Sequence, residues 1–210
     1  PASFNDRIRN SAGMSTHLAR CARSEGRPGV HRNHIYGMEH AASKAETRED
    51  GSLTSLCRGR SGVLVVGDIH GMYDPFWGVV DKASRENLAI LSLGDLVNRG
   101  SESLPCMRLA LRLASEGRFD MIPGNHDQRL RILLETPDAL TSTDKAKLAP
   151  TVAELSASKD GWEVARAFVD WLKTRPTWRR QGKFVFTHGG ITPDMLDVSP
   201  PPFATVGRDH

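Results

Sequence analysis

Four short apolar runs, VLVV (63–66), LAILSL (88–93), FDMI (119–122) and FVF (184–186), each run straight into a glycine-flanked polar loop. None is long enough for a helix, and their β-branched and aromatic residues fit buried strands. The loops read GDIHG (67–71), GDLVNRG (94–100), PGNHDQ (123–128) and THGG (187–190). Helical patterns lie between the runs: Leu104, Met107, Leu111 and Ala114 recur at three- and four-residue spacing ahead of Gly117, where a glycine suits a stop. Val164, Phe168, Trp171 and Leu172 mark a second helix over 162–173, with Pro176 beyond its end. Strand then helix, repeated, predicts an α/β layered domain. Residues 136–160, with Pro137, Pro150 and many Ser, Thr and Lys, predict a helix-poor insertion or cap.

In open α/β sheets the ligand site lies outside the carboxyl ends of the strands, so the four loops are expected to converge on one crevice. Together they supply Asp68, His70, Asp95, Asn125, His126 and His188, oxygen and imidazole donors without a thiolate. That mixture suits Mn²⁺, Fe or Zn²⁺ better than Ca²⁺, and a structural zinc site would recruit cysteine. The donors are too many for one four-coordinate ion. They suffice for two ions sharing one carboxylate, an arrangement that clamps the attacking and leaving oxygens of phosphoryl transfer. Asp95 is the natural bridge because its strand is central-looking, and Arg99 in the same loop offers a guanidinium fork that matches phosphate.

The series GDIHG, GDLVNRG, GNHD and THGG resembles the calcineurin-like metallophosphoesterase superfamily. The similarity is to the branch containing phosphoprotein phosphatases, bacterial diadenosine tetraphosphatases and the phosphatase module of bacterial RNA-repair enzymes. HGGITPDML (188–196) and WLKTRP (171–176) extend the match, which covers residues 61 to about 197. The resemblance implies a four-layer α/β/β/α sandwich of two mixed sheets with a dimetal site at the strand ends. It implies Asp68 and His70 on the first metal, Asp95 bridging, and Asn125 and His188 on the second. His126 would protonate the leaving alkoxide, Arg99 would bind phosphate, and Asn98 would orient His126. The cofactors implied are two divalent ions, Mn²⁺ with Fe or Zn²⁺ as alternatives, and the nucleophile is water activated by the pair.

The function expected is hydrolysis of phosphate monoesters or phosphoanhydrides, in the manner of a serine/threonine phosphatase or a diadenosine tetraphosphatase. A phosphoprotein, a dinucleoside polyphosphate or a nucleotide would be the phosphorylated substrate. The alternatives are a nucleotide or RNA-end phosphatase or phosphodiesterase, and an inactive, binding-only relative. The last arises because the family supplies one more metal histidine from a strand well downstream of HGG, whereas here Arg208, Asp209 and His210 close the chain. Either the domain is truncated at its C-terminus or the second metal is weakly held.

Composition bounds the rest. With 210 residues, 39% of them hydrophobic, one sizeable core can be buried, in a domain over 61–210. Residues 1–60 hold ten Lys/Arg and six Asp/Glu, lack any period of 2 or 3.6, and are expected to be a disordered basic segment. His31, His34 and His40 in it have no scaffold to fix a metal. The net +3 of the chain is thus confined to that segment, so no stable duplex nucleic acid is expected as a partner. Cys21, Cys57 and Cys106 make an odd count without CxxC spacing, which supports neither a disulfide framework nor a zinc knuckle. No apolar run approaches the roughly 18 residues that cross a bilayer, so no membrane association and a soluble, cytoplasmic protein are expected.

Asn98 departs from the phosphoprotein phosphatases, which carry Asp at this place in the pattern GDxVDRG to orient the GNH histidine and stabilise its imidazolium. The dinucleotide hydrolases also lack that Asp. An amide orients but adds no charge, so Asn98→Asp is expected to extend the alkaline limb of the pH–rate profile upward. Superimposable profiles for the two proteins would exclude this role.

Overall fold

Continuous Val, Leu and Ile runs form strands where both faces of a sheet are covered. The computed structural model of the chain, which describes residues 16–20, 53–181 and 184–190, turns each predicted run into a strand. In chain order the elements are β1 (Thr16–Arg20), α1 (Thr54–Cys57), β2 (Gly62–Val66), α2 (Tyr73–Arg85), β3 (Leu88–Ser92), α3 (Ser103–Ser115) and β4 (Phe119–Met121). There follow α4 (Asn125–Glu135), a 3-10 turn (Pro137–Ala139), α5 (Ser142–Ala157), α6 (Gly161–Lys173), β5 (Trp178–Gln181) and β6 (Phe184–Thr187).

β2, β3 and β4 are parallel neighbours, with Val65 opposite Leu91 and Ser92 opposite Met121. β1 pairs antiparallel with β2, giving the order β1-β2-β3-β4, and β5 and β6 form a separate antiparallel pair. Parallel pairing sends the loops after β2, β3 and β4 to one edge of the sheet. On one face Leu64, Val66, Leu88, Ile90, Phe119 and Met121 pack with Phe76 and Val80 of α2 and Met107 and Leu113 of α3. On the other, Val63, Val65, Ala89 and Leu91 meet Leu53 and Leu56 beside α1, with Phe186 of β6 against them. The alternation of strand side chains between two apolar faces explains why the sequence shows unbroken apolar runs. The fold is therefore mixed α/β, with helices on one face and α1 plus β6 on the other.

Two expectations are corrected, on residues 136–160 and on the cysteines. Residues 136–160 are largely helical. Thr141 accepts the Asp144 N–H at 3.1 Å and Asp144 returns a bond to the Thr141 N–H at 3.3 Å, a reciprocal cap that starts α5. Pro150 lies inside that helix, and burial of Leu148, Thr151 and Leu155 outweighs the backbone bond it removes. Of residues 1–60 the described ones are β1, held to the sheet edge by main-chain pairing that needs no apolar period, and the segment from Leu53 that carries α1. Cys106 is a free, buried thiol, whereas Cys57 is disulfide-bonded, a pairing that the wide cysteine spacing did not foreshadow. His31, His34, His40, the segment 191–196 and His210 lie outside the described residues. No helix among the described residues is long and apolar enough to cross a membrane.

Trp171 belongs to the core margin, 6.1 Å from Phe168 and 6.0 Å from Phe119 between ring centres. Phe76, fully buried and 5.8 Å from Phe119, ties α2 to the sheet. Phe76→Ala is expected to cost about 3–5 kcal/mol in urea unfolding, and a loss under about 1 kcal/mol would show that the core collapses around the gap.

Candidate metal centre

The edge formed by the parallel strands is stitched by main-chain bonds. The Ile69 and His70 N–H groups both donate to the Asp95 carbonyl at 3.0 and 2.8 Å, and the Gly71 N–H donates to the Leu96 carbonyl at 2.8 Å. His70, Asp95, Asn98 and Arg99 all have positive φ, at 49°, 52°, 69° and 68°. Such backbone persists where surrounding contacts over-determine it, commonly at functional sites. Gly94 has φ 110°, and a Cβ there would lie 2.7 Å from Gly124 Cα. A Cβ on Gly124 would lie 2.2 Å from Asp95 Oδ1. The two glycines let the loops after β3 and β4 pass in contact, which sets Asp95 between them.

The two oxygens of the buried Asp95 carboxylate face different imidazoles. His70 Nε2 is 3.6 Å from Oδ2, and His188 Nε2 is 3.5 Å from Oδ1. His70 Nε2 is also 3.2 Å from Asp68 Oδ2. Two donor groups result, His70–Asp95–His126 and Asp68–Asp95–His188, each with ligand atoms within 4.8 Å of one another. Asp95 belongs to both. Asn125, at the start of α4, has a buried Oδ1 without a hydrogen-bond partner. Arg99 is exposed at the rim, and its charge bears on Asp68, His70 and His126.

These donors fit divalent cations. His70 Nδ1 lies 3.2 Å from the Val97 carbonyl and His188 Nδ1 lies 2.8 Å from the Leu93 carbonyl. A carbonyl only accepts, so both Nδ1 atoms carry hydrogen and each neutral ring turns its Nε2 lone pair toward the carboxylates. Such backbone anchoring is typical of metal-ligating histidines. His70 Nε2 has no hydrogen-bond partner despite its burial. Lone pairs facing carboxylates repel unless a cation lies between them or the ring is protonated. Burial opposes a charge on His70, but Asp68, the Val97 carbonyl and Asp95 outweigh it and raise its pKa. The adjacent His70 imidazole lowers that of Asp68.

His126 is set by a hydrogen-bond chain. The Thr151 hydroxyl donates to Asn98 Oδ1 at 2.7 Å, and the Asn98 amide nitrogen lies 3.2 Å from His126 Nδ1 and donates to the His126 carbonyl at 3.4 Å. An oxygen in place of that NH₂ could not make the last bond. The amide therefore donates to Nδ1, and the neutral ring holds its hydrogen on Nε2. Burial first, then the charges of His70, Arg129, Arg99 and Lys147, push the His126 pKa down to about 4.

Every residue singled out in the loops thus comes to this edge: Asp68, His70, Asp95, Asn125 and His188 as donors, His126 beside them, Asn98 behind His126, and Arg99 at the rim. Sequence reasoning missed Asp127. Its fully buried carboxylate accepts the N–H groups of Asp95 at 2.8 Å, Leu96 at 3.0 Å and Gly124 at 2.9 Å. The spacing Gly124-x-x-Asp127 at a helix start is a capping pattern that could have signalled it. Thr151, from α5, left no local signal.

The family model described as calcineurin-like phosphoesterase matches residues 62–205, which include every donor named above. The chain belongs to the calcineurin-like phosphoesterases. It is 30% identical over 134 residues to a symmetrical bis(5'-nucleosyl)-tetraphosphatase of Pasteurella multocida, covering 62% of this chain and 44% of that protein. It is also 30% identical over 147 residues to an asymmetrical bis(5'-nucleosyl)-tetraphosphatase of Halalkalibacterium halodurans, covering 63% and 58%. The chain spans about half the length of the curated relatives it matches. A crystal structure of a putative diadenosine tetraphosphatase aligns with a TM-score of 0.43 and 25% identity, over 62% of this chain and 51% of that one.

In this calcineurin-like edge, Gly124→Ala tests the close approach. The added methyl must displace Asp95, so Mn²⁺ affinity by calorimetry is expected to fall about 10–100-fold with an unchanged far-UV spectrum. Unaltered affinity would show that Asp95 does not need its present position to bind metal.

Proposed function

We propose that the chain is the catalytic part of a metal-dependent hydrolase that cleaves phosphoanhydride bonds, with dinucleoside polyphosphates as the substrate class. The observation that carries this reading is the single carboxylate of Asp95, whose two oxygens face His70 and His188 separately. On that basis Asp68, His70 and Asp95 would hold one ion, and Asp95, Asn125 and His188 the other. Two divalent ions there, Mn²⁺ by the balance of oxygen and imidazole donors, would supply the Lewis acid and the activated water. Arg99 presents a guanidinium to the phosphate oxygens from the rim. The β5–β6 pair would belong to the second sheet of a four-layer α/β/β/α sandwich.

Asn98 favours an anhydride over an alkyl ester. With Nδ1 of His126 occupied by an amide donor, the ring offers an Nε2–H hydrogen bond to a leaving oxygen, and its Nδ1 partner carries no charge to sustain an imidazolium. An alkoxide leaving group needs a proton, whereas a nucleotide phosphate leaves as a stable anion. The relatives named bis(5'-nucleosyl)-tetraphosphatase support the same choice.

A Mn²⁺-supplemented panel of a phosphopeptide, diadenosine tetraphosphate and a 3′-phosphorylated or 2′,3′-cyclic nucleotide tests the reading. The highest kcat/KM is expected on diadenosine tetraphosphate, with at least about a hundredfold loss in Asp95→Asn. Preference for the phosphopeptide would overturn the substrate class. Equal rates in Asp95→Asn would remove the shared-carboxylate mechanism, and no turnover of any substrate would leave a binding-only protein.

A further inference from the structure

Arg129 and Lys147 are not among the donors of the metal centre, yet their charges bear on His126 together with that of Arg99. Arg129 follows His126 by three residues and Asn125 by four on α4, the spacing of one helix face, and helical side chains lean back over the preceding turn. Its Nε donates to Asp144 Oδ1 at 2.8 Å, which fixes the plane of the guanidinium. Its Nη1 is buried and has no hydrogen-bond partner. Buried donors are nearly always paired, so this one is an unfilled valence beside the catalytic edge.

Lys147 stands on the same face of α5 as Asp144 and Thr151. Both ends of that face are tied to the site, Asp144 to Arg129 and Thr151 to Asn98, and Asn98 in turn contacts His126. Lys147 lies between these anchors, exposed, and it makes no ion pair among the described residues. A fixed guanidinium on α4 and an exposed ammonium on α5, both bearing on His126, form a cationic pair suited to phosphate oxygens.

We propose that Arg129 and Lys147 form a second phosphate subsite, which holds a phosphate of a polyphosphate chain other than the one attacked at the metal centre. The proposal rests on the reading of the centre as a phosphoanhydride hydrolase and names what selects its substrate. A simple monoester has no second phosphate to place there, so the subsite raises affinity for polyphosphates alone. Asp144 holds Arg129 in position and already shares its carboxylate with the Thr141 hydroxyl and N–H, which limits how far it neutralises the guanidinium.

The test compares Mn²⁺-loaded wild type, Arg129→Gln and Lys147→Ala on diadenosine tetraphosphate and on p-nitrophenyl phosphate, with calorimetric binding of tripolyphosphate and of orthophosphate. In Arg129→Gln, KM for diadenosine tetraphosphate and Kd for tripolyphosphate are expected to rise at least about tenfold, several times more than the change in KM on p-nitrophenyl phosphate. Lys147→Ala is expected to shift the same two constants by about threefold or more. Parallel losses on both substrates, or unaltered tripolyphosphate binding, would overturn the subsite. Should Arg129→Gln fail to fold, Lys147→Ala at its exposed position still decides the matter. If wild type cleaves p-nitrophenyl phosphate but not diadenosine tetraphosphate, the functional reading fails while tripolyphosphate binding still tests the subsite.

Discussion

The edge that gathers the metal-donor residues depends on a carboxylate that is not itself one of them. Asp127 is fully buried, and burial together with the charge of Asp95 raises its pKa. A carboxyl group in that position is costly unless its lone pairs are filled, and three main-chain N–H groups fill them. Two of the three come from the loop after β3 and one from the loop after β4, so the same bonds that make Asp127 tolerable fasten the two loops together. The position at the start of α4 adds a favourable helix dipole. Asp95, held at φ 52° by this fastening, then accepts the His126 N–H at 2.9 Å on Oδ1, a further tie between the same two loops, and its carbonyl takes the Ile69 and His70 N–H groups that register the loop after β2.

That fastening explains why strained backbone collects in one loop. Asp95, Asn98 and Arg99 adopt a left-handed conformation that costs an isolated non-glycine residue about 1–3 kcal/mol. Each is compensated by contacts specific to the site. The Asn98 N–H donates to the Ser103 hydroxyl at 3.0 Å, and the Gly100 N–H returns to the His70 carbonyl at 2.8 Å. The loop is a turn whose side chains fan in three directions, with Asp95 toward the donors, Asn98 toward His126 and Arg99 outward.

The strands and their loops were legible because both depend on local information. A strand covered on both faces must be apolar throughout, and a loop that approaches another backbone must carry glycine where a Cβ would collide, as at Gly94 and Gly124. His70, Asp95 and Asn125 could be read because each adjoins such a glycine, at Gly71, Gly94 and Gly124, and Asp68 and His188 because each directly follows an apolar run in a glycine-flanked loop. What was not legible depends on tertiary contact. β1 is specified by main-chain pairing with β2. α5 carries Pro150 and a polar composition that local propensity disfavours, and its helix is retained by the buried face of Leu148, Thr151 and Leu155. Thr151 touches Asn98 across 53 residues of sequence, a distance over which no spacing rule operates. The helices α2 and α4 were overlooked because each begins within or directly after a polar, glycine-flanked loop, whose composition reads as loop rather than as a helix start.

The placement of α5 changes what Asn98 means. Read alone, the residue is an aspartate that has lost its charge. In the fold its carbonyl oxygen is occupied by Thr151, and Ser103 lies 3.1 Å behind that hydroxyl, so the amide is fixed with its NH₂ toward His126. A carboxylate there would place a negative oxygen against the His126 carbonyl, 3.4 Å from the present nitrogen, and would call for a protonated ring to offset it. Asn98, Thr151 and the neutral His126 are thus one consistent set. The helix that completes the set is the same one that carries Lys147 and, through Asp144, orients Arg129. The surroundings of His126 and the placement of Arg129 and Lys147 are therefore set by opposite ends of a single helix face, and a change in the position of α5 would shift both together.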